Sequence, residues 1–253
     1  MRPDRGSSRS RSRASDAARD ATSRPRLATP FGWDGEHLRV ELPAGAALFT
    51  TRRGGVSQGA FASLNLGPWT EDDPAHVAAN RERVRELVGA RRLLQGRQVH
   101  GTRVAVDEGH GEDADGQATT RAGVAAIVLV ADCLPVVLVA PAAAAVIHAG
   151  WRGLAGGVIE AGVRAVGEGP VAAAIGPGIG PCCYEVGPDV HAALGTSGPT
   201  ADLKAVARAH LEAAGVAAVH DCGLCTSCDP VRFFSHRRDG GLTGRQAGLA
   251  WRA

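Results

Sequence analysis

The chain has 253 residues, enough for a single domain with a full hydrophobic core. Its net charge of +2 is unevenly distributed, because residues 1–28 hold eight Arg and three Asp and leave the remainder slightly acidic. That balance excludes the broad basic surface of a nucleic-acid-binding protein. The six cysteines also lack the dispersed spacing of a disulfide-stapled secreted domain.

Residues 1–28 are rich in Ser and Arg and nearly free of large apolar side chains, so burial cannot offset the entropy of ordering them. We predict a disordered tail over residues 1–28 and a single catalytic domain over residues 29–253. No apolar secretion segment follows the basic N-terminus, and polar or proline residues interrupt the longest apolar stretch. We expect a cytoplasmic protein with no nucleic-acid or membrane partner, and the sequence carries no signal for an oligomeric state.

The first elements of the domain follow from local patterns. The segments LRVEL and AALFTTR predict two strands around a turn at residues 43–45. A helix is predicted next, with Asp73 as N-cap, Pro74 at its first position, apolar residues at three-to-four spacing, and Gly89 at its end.

Extended segments are expected at residues 98–100 and 104–106, with His100 at the end of the first. The acidic residues 107–120 that follow predict a flexible loop whose carboxylates face water or reach a substrate.

The most informative stretch is VAAIVLVADCLPVVLVAPAAAAVIHAGWRG, residues 124–153, which predicts three buried strands. A turn at Pro141 and Ala142 makes the second and third strands a hairpin. Counting outward from that turn places Pro135 opposite His148. Cys133 is two residues from Pro135, so its backbone lies about 7 Å diagonally from the backbone of His148. The two side chains are therefore interpreted as parts of one site.

The second half of the chain predicts a helix over Leu154–Val166, a strand at VAAAI, a sharp glycine turn, and helical segments within residues 188–213 that break near residues 195–199. Alternating strands and helices indicate an α/β fold with mixed sheets. Cys222, Cys225 and Cys228 have a C-x2-C-x2-C spacing that could hold a second metal or an iron–sulfur cluster, or could serve local packing and turn chemistry. No fourth Cys follows at cluster spacing.

His100, Cys133 and His148 each end or interrupt an apolar segment. Two imidazoles and a thiolate suit zinc, and a fourth position left open to water is typical of a catalytic site. A metal there would lower the pKa of its water to about 7. Asp132 is a candidate to orient a ligand or move protons, and arginines could hold an anion such as phosphate.

The segments TTRRGGVSQGAFASLNLG, QVHG, ADCLPV, HAGWRG and IGPGIGPCCYEVG together resemble the YfiH/YlmD family. That family is also known as laccase-domain or polyphenol oxidoreductase proteins, and its members are regarded as purine nucleoside phosphorylases with adenosine deaminase activity. The resemblance extends from about residue 45 to the C-terminus. It implies a β-sandwich flanked by helices.

The resemblance also implies site residues and substrates. It places the metal ligands, zinc or alternatively copper, on His100, Cys133 and His148, and substrate contacts on Arg52, Asn65 and Arg81. The implied reactions are phosphorolysis of adenosine, inosine, guanosine or methylthioadenosine, and hydrolysis of the 6-amino group of adenosine.

Three alternatives remain open at the level of sequence. Cys133 could be the nucleophile of an amidase that edits peptidoglycan precursors, with His148 or His100 as base. Copper oxidation of phenols is disfavoured, because none of the nine His residues is two positions from another, as multicopper sites require. A binding or division-associated protein with a structural metal is the non-enzymatic alternative.

Overall fold

The chain forms two β-sheets with helices on their outer faces. The computed structural model describes residues 24–108 and 111–253. The strands in these ranges are β1 Phe31–Asp34, β2 His37–Leu42, β3 Gly45–Phe49, β4 Arg92–Leu94, β5 Val104–Val106, β6 Gly116–Thr119, β7 Val124–Val130, β8 Leu134–Val139, β9 Ala144–Ala149, β10 Ala172–Ile175, β11 Ala218–Asp221 and β12 Gln246–Arg252. The α-helices there are α1 Pro74–Leu87, α2 Trp151–Gly156, α3 Val158–Val166, α4 Pro188–Leu194 and α5 Leu203–Ala213, and a 3-10 turn spans Gly59–Phe61.

Each sheet has six strands and is mixed. The first has the order β1-β2-β3-β12-β7-β4, and the second has the order β11-β10-β8-β9-β6-β5. The pairs β4/β7, β5/β6 and β10/β11 are parallel, and the other pairs are antiparallel. The predicted α/β class with mixed sheets is confirmed.

The two sheets pack face to face as the predicted sandwich. Hydrophobic side chains fill the space between the sheets and the space between each sheet and its helices. Phe49 and Val128 of the first sheet pack against Val137 and Val146 of the second. The outer face of the second sheet is covered by α2, α3 and α5, and the outer face of the first sheet by α1. No helix in the described ranges is long and apolar enough to cross a membrane.

The central hairpin has the register predicted from the sequence. Pro135 lies opposite His148, and Val136 opposite Ile147. Ala140 and Ala143 exchange backbone hydrogen bonds across the turn. Because β8 and β9 are buried at every position, a one-residue slip would break the packing on both faces, and the register is strongly specified.

The first helix is also confirmed, since the Asp73 side chain accepts a hydrogen bond from Ala75 N, Pro74 is the first residue, and Gly89 adopts a φ of 66° after the last turn. The predicted helix over Leu154–Val166 is corrected in detail. It begins earlier, at Trp151, and Gly157 with a φ of 89° divides it into α2 and α3. Glycine adopts this left-handed conformation without the steric penalty of a side chain.

Two expectations between residues 98 and 120 are wrong. Residues 98–100 do not form a strand, because the backbone N–H groups of Val99 and His100 bond to a carboxylate and not to a neighbouring strand. The acidic segment contains the buried strand β6 in place of a wholly flexible loop. Gly109 and His110 lie outside the described residues.

Residues 1–23 of the predicted tail also lie outside the described residues. Within the remainder of that segment, Leu27 packs against the core between the sheets, and the oxygen of Pro25 accepts a hydrogen bond from Trp33 Nε1 at 3.1 Å. The domain boundary at residue 29 stays a prediction.

Replacing Leu138 with Ala is expected to lower the free energy of unfolding by about 2–5 kcal/mol, the usual result of truncating a fully buried Leu. Leu138 is 0% exposed, and its Cδ1 lies 2.8 Å from where a Cβ on Gly162 of α3 would stand. Leu242→Ala is the matched control, because Leu242 is 53% exposed and should change stability by about 0.5 kcal/mol or less. Urea denaturation measures both, and equal losses would contradict this assignment of the core.

Candidate metal centre and its cavity

Three side chains with metal-binding atoms meet where β7 leaves the first sheet and the chain enters the second. His100 lies in the loop before β5, Cys133 in the β7–β8 connection, and His148 in β9. Their donor atoms all lie within 4.8 Å of one another. Cys133 Sγ is 4.0 Å from His100 Nε2, and the two imidazole rings meet edge-on with centroids 4.8 Å apart. The structure thus brings together the three ligands expected from the sequence.

The donor set fits a zinc-like ion. Two imidazole nitrogens and a thiolate around a tetrahedral ion lie about 3.6 Å apart, so the observed separations need only a small inward shift of the side chains. Gly150 permits the close approach, because a Cβ there would stand 3.1 Å from both Cys133 Sγ and His100 Cδ2. All three residues also line a cavity, which leaves one side of the site open to a substrate.

A buried carboxylate, Asp115, organises the two histidines. It accepts hydrogen bonds from the backbone N–H groups of Val99, His100 and Gly101 at 2.7–3.0 Å and contacts His148 Nδ1 at 2.7 Å. Burial alone would raise the pKa of Asp115, but the hydrogen bonds from His148 and the backbone outweigh it and lower that pKa. When His148 is neutral, the carboxylate therefore keeps its proton on Nδ1 and leaves the Nε2 lone pair available for a metal.

Cys133 and His148 stabilise each other's charged forms. Burial alone would raise the pKa of the Cys133 thiol, but the His148 imidazolium and hydrogen bonds from both histidines lower it to about 6. Burial alone would lower the pKa of His148, but the Cys133 thiolate and Asp115 raise it to about 9. Before a metal binds, the thiol is thus already poised as the thiolate that a metal requires.

Strained backbone is concentrated at this site. His100 has a φ of 60°, and Asp132, directly before Cys133, has a φ of 93°. Such angles are unfavourable for residues with side chains and persist where surrounding contacts hold them. Asp132 is held by Thr226 Oγ1 at 2.6 Å and by Arg237 N at 2.7 Å, one on each carboxylate oxygen. Asp132 therefore fixes the direction of the Cys133 side chain.

The cavity has a volume of about 520 Å³, within the usual range of small-molecule sites, about 300–1,000 Å³. Besides the three candidate metal ligands, its walls carry aromatic rings and arginines. They are Trp69, Trp151, Tyr184, Arg152, Arg237 and Arg245. Planar rings suit a flat heterocyclic base and guanidinium groups suit an anion.

The arginines are oriented by neighbouring groups. The Arg152 guanidinium carbon stands 4.3 Å from the centroid of the Trp151 ring. Arg237 lies over Tyr184 at 5.2 Å and donates to the oxygen of Glu185. Arg245 donates to the oxygens of Thr243 and Gly244. These contacts restrict the side chains and reduce the entropy lost when an anion binds.

The three residues expected to touch substrate do not line this cavity. Arg52 donates to the oxygens of Ala62 and Pro230 and lies over the ring of Phe234. Arg81 donates to the oxygen of Leu66.

Asn65 is fully buried and acts on the cavity through its neighbours. Its amide donates to Thr70 Oγ1 and its oxygen accepts from the N–H groups of Gly67 and Arg245. Since Thr70, Gly67 and Arg245 line the cavity, Asn65 supports its wall.

Sequence reasoning missed Asp115, Arg152 and Arg245. Asp115 sits in a run of acidic residues that gives no local sign of burial. Arg152 had a usable signal, because it follows His148 by four residues at the start of a helix. Arg245 is brought to the cavity by β12, which pairs between β3 and β7, and no local pattern reveals that.

Comparison with known proteins identifies the family. The family model described as multi-copper polyphenol oxidoreductase laccase matches residues 46–253. The chain belongs to this family. A purine nucleoside phosphorylase of Pseudomonas aeruginosa is 41% identical to this chain over 237 residues, which cover 85% of this chain and 97% of the relative. Another purine nucleoside phosphorylase, from Xylella fastidiosa, is 42% identical over 242 residues, covering 83% and 93%.

Solved structures of the family agree with the fold. The crystal structure of YlmD from Geobacillus stearothermophilus matches with a TM-score of 0.82 at 35% identity, over 88% of this chain and 98% of that one. The YfiH/YlmD resemblance and the mixed-sheet architecture expected from the sequence are confirmed.

Proposed function

We propose that this protein is a metal-dependent purine nucleoside phosphorylase that also deaminates adenosine, with Zn²⁺ held by His100, Cys133 and His148. The observation that carries the proposal is the joint placement of this ligand set, three arginines and three aromatic rings around one cavity. The names of the relatives from Pseudomonas aeruginosa and Xylella fastidiosa support the reaction class.

Different residues of the cavity have different roles in the proposed phosphorolysis. Arg152, Arg237 and Arg245 provide the positive charge that holds phosphate against the ribose. Trp151 and Tyr184 offer flat apolar faces for the purine. Asp132 accepts one hydrogen bond on each carboxylate oxygen, which supports a role in holding Cys133 in place. A metal held by the three ligands would supply Lewis acidity, which would favour both departure of the purine and hydrolysis at the carbon that carries its 6-amino group.

A nucleoside panel tests the proposal. Purified metal-loaded protein is incubated with adenosine, inosine, guanosine or methylthioadenosine, with and without phosphate, and products are identified by mass spectrometry. We expect free base and the sugar 1-phosphate only when phosphate is present, and inosine from adenosine in either buffer. Protein treated with a chelator should do neither. Intact nucleosides after incubation with metal-loaded protein would contradict the proposal.

Arg152→Gln is expected to raise the KM for phosphate about 10- to 100-fold, the equivalent of one charged hydrogen bond of about 1.5–3 kcal/mol. Deamination needs no phosphate and should change less. Arg121→Gln is the matched control, because Arg121 is also exposed, pairs with Asp107 at 3.7 Å and lies outside the cavity. Steady-state kinetics at varied phosphate concentration measure this KM. An unchanged KM for phosphate in Arg152→Gln would show that Arg152 does not bind the anion.

One observation favours a second candidate, the cysteine-dependent amidase. The pairing of Cys133 with His100 and His148 is also the arrangement of a nucleophile with its base. That reaction needs a thiolate that is not bound to metal. Release of amino acids from peptidoglycan peptides by chelated protein, with loss of that activity on adding Zn²⁺, would favour the amidase.

A further inference from the structure

A second group of metal-binding side chains lies at the carboxyl ends of the parallel strands β10 and β11. It consists of Cys182, Cys183, Cys225 and Cys228, whose sulfur atoms all lie within 4.8 Å of one another. Cys182 and Cys183 each approach Cys228 to 3.4 Å between sulfurs. The first two cysteines come from the loop after β10 and the other two from the loop after β11, so the fold brings together residues more than 40 positions apart.

The backbone of both loops is shaped around these sulfurs. Gly178 and Cys225 form a parallel bridge that extends the β10/β11 pairing, and Thr226 N donates to the oxygen of Gly178 at 3.1 Å. Gly180 N donates to Cys225 Sγ at 3.2 Å. A Cβ on Gly180 would stand 3.3 Å from Cys182 Sγ and 3.4 Å from Cys225 Cβ. Close packing and a backbone N–H directed at sulfur are features of thiolates bound to metal.

The spacing favours a single ion. Thiolates at about 2.3 Å from a tetrahedral zinc lie about 3.8 Å apart, close to the observed separations. An iron–sulfur cluster places several iron and sulfide atoms between its cysteine thiolates, so those thiolates lie further apart than the sulfurs do here. Cys182 and Cys183 approach Cys228 equally closely, whereas a disulfide would join Cys228 to only one of them. The geometry therefore favours a shared ion over a disulfide. Cys222, the member of the C-x2-C-x2-C motif that is 4% exposed, is not part of the group.

We propose that Cys182, Cys183, Cys225 and Cys228 bind one Zn²⁺ ion at a structural site separate from the His100–Cys133–His148 centre. Binding releases the thiol protons and leaves four thiolates on the ion, with a net charge of −2. Lys204 and Arg208 line the depression beside Cys182 and Cys225, together with Asp202 and Asp221. Lys204 also donates to the oxygen of Leu224 at 2.8 Å and pairs with Asp221.

Such an ion would join the two loops that form one wall of the cavity. The loop after β10 carries Ile179 and Tyr184, which line the cavity. The loop after β11 carries Thr226, whose hydroxyl donates to Asp132. Four sulfur ligands on one ion leave no position for substrate, so the site stabilises and does not catalyse. The ion would thus keep Thr226 in position to bond Asp132, and Asp132 in turn orients the Cys133 side chain.

The experiment counts metal in the full chain, purified without chelators or added tags that bind metal. We expect two equivalents of Zn²⁺ per chain in the unchanged protein grown with zinc, one in Cys133→Ala, and one in Cys225→Ser or Cys228→Ser. Cys222→Ala is the matched control and should retain both. Co²⁺ added to metal-free Cys133→Ala protein should give the strong visible absorption of a tetrahedral thiolate centre. None of these measurements depends on nucleoside turnover.

A titration of the unchanged protein keeps the test valid if the Ser variants do not fold. A mercurial reagent should release the second equivalent of Zn²⁺ as these four thiols react, detected with a zinc-sensitive dye. A mass lower by two hydrogens per bond, which indicates disulfides, would overturn the proposal. Four thiols that react freely without releasing metal, or iron in place of zinc, would overturn it equally.

Discussion

Cys133→Ala and His148→Ala are each expected to lose the metal of the cavity and all nucleoside phosphorolysis together. Each change removes one of three ligands and leaves two, of which His100 lies on the exposed side of the site. Losing a hydrogen bond to a ligand typically lowers metal affinity about 10- to 100-fold, and losing the ligand itself should exceed that. Deamination of adenosine should disappear in parallel, because we propose that both reactions use this centre.

Metal analysis and activity measured on the same preparation separate the two roles of Cys133. A Cys133→Ala protein that keeps its metal in the cavity but loses activity would show that Cys133 is a nucleophile. Cys222→Ala is the control, since burial raises the pKa of that thiol to about 11 and makes it an unreactive core group. Its metal content and turnover should match the unchanged protein, apart from a loss of stability.

The part of the site that sequence could predict lies in one continuous stretch. Cys133 and His148 are joined by a hairpin whose strands are apolar at nearly every position, and a turn at Pro141 and Ala142 fixes the count. Pairing in an antiparallel hairpin is a local property, so counting from the turn sufficed. The predicted α1 helix was recoverable for the same reason, because its N-cap and first proline are adjacent.

The rest depends on contacts between distant segments. His100 is positioned by Asp115, whose carboxylate replaces the strand partner that the sequence suggested for residues 98–100. The four-cysteine group depends on the parallel pairing of β10 and β11, which sets Cys182 beside Cys228. Neither contact leaves a periodic signal in the chain. The C-x2-C-x2-C motif supplies only two of the four cysteines, because Cys222 lies outside the group and the other two, Cys182 and Cys183, precede the motif in sequence.

The residues carried over from the family resemblance show a related limit. Arg52, Asn65 and Arg81 hold backbone oxygens and neighbouring loops, and the cavity is lined by other arginines. Similarity of motifs locates the site but does not distinguish a residue that touches substrate from one that supports the wall. Direct substrate contact by these three stays a prediction, and only the hydrogen bonds of Asn65 reach residues that line the cavity, namely Gly67, Thr70 and Arg245.

Asp115→Asn is expected to weaken metal binding about 10- to 100-fold and to lower stability by about 1–3 kcal/mol, although the change conserves shape. Asp115 is fully buried and accepts four hydrogen bonds. An amide has one acceptor oxygen, so its NH₂ group must face either the N–H groups of Val99 and Gly101, or the N–H of His100 together with His148 Nδ1. In the second case it donates to Nδ1 and moves the imidazole proton to Nε2, which blocks the lone pair that binds the metal.

Asp113→Asn is the matched control, because Asp113 is two residues away in the same segment but pairs with Arg97 at the surface. It should bind Zn²⁺ as the unchanged protein does, since exposed ion pairs contribute little to stability. Competition with a chromophoric chelator gives the affinity of each variant, and thermal melting gives its stability. An Asp115→Asn protein that melts lower yet binds Zn²⁺ with unchanged affinity would show that Asp115 holds the loop of His100 without setting the proton of His148.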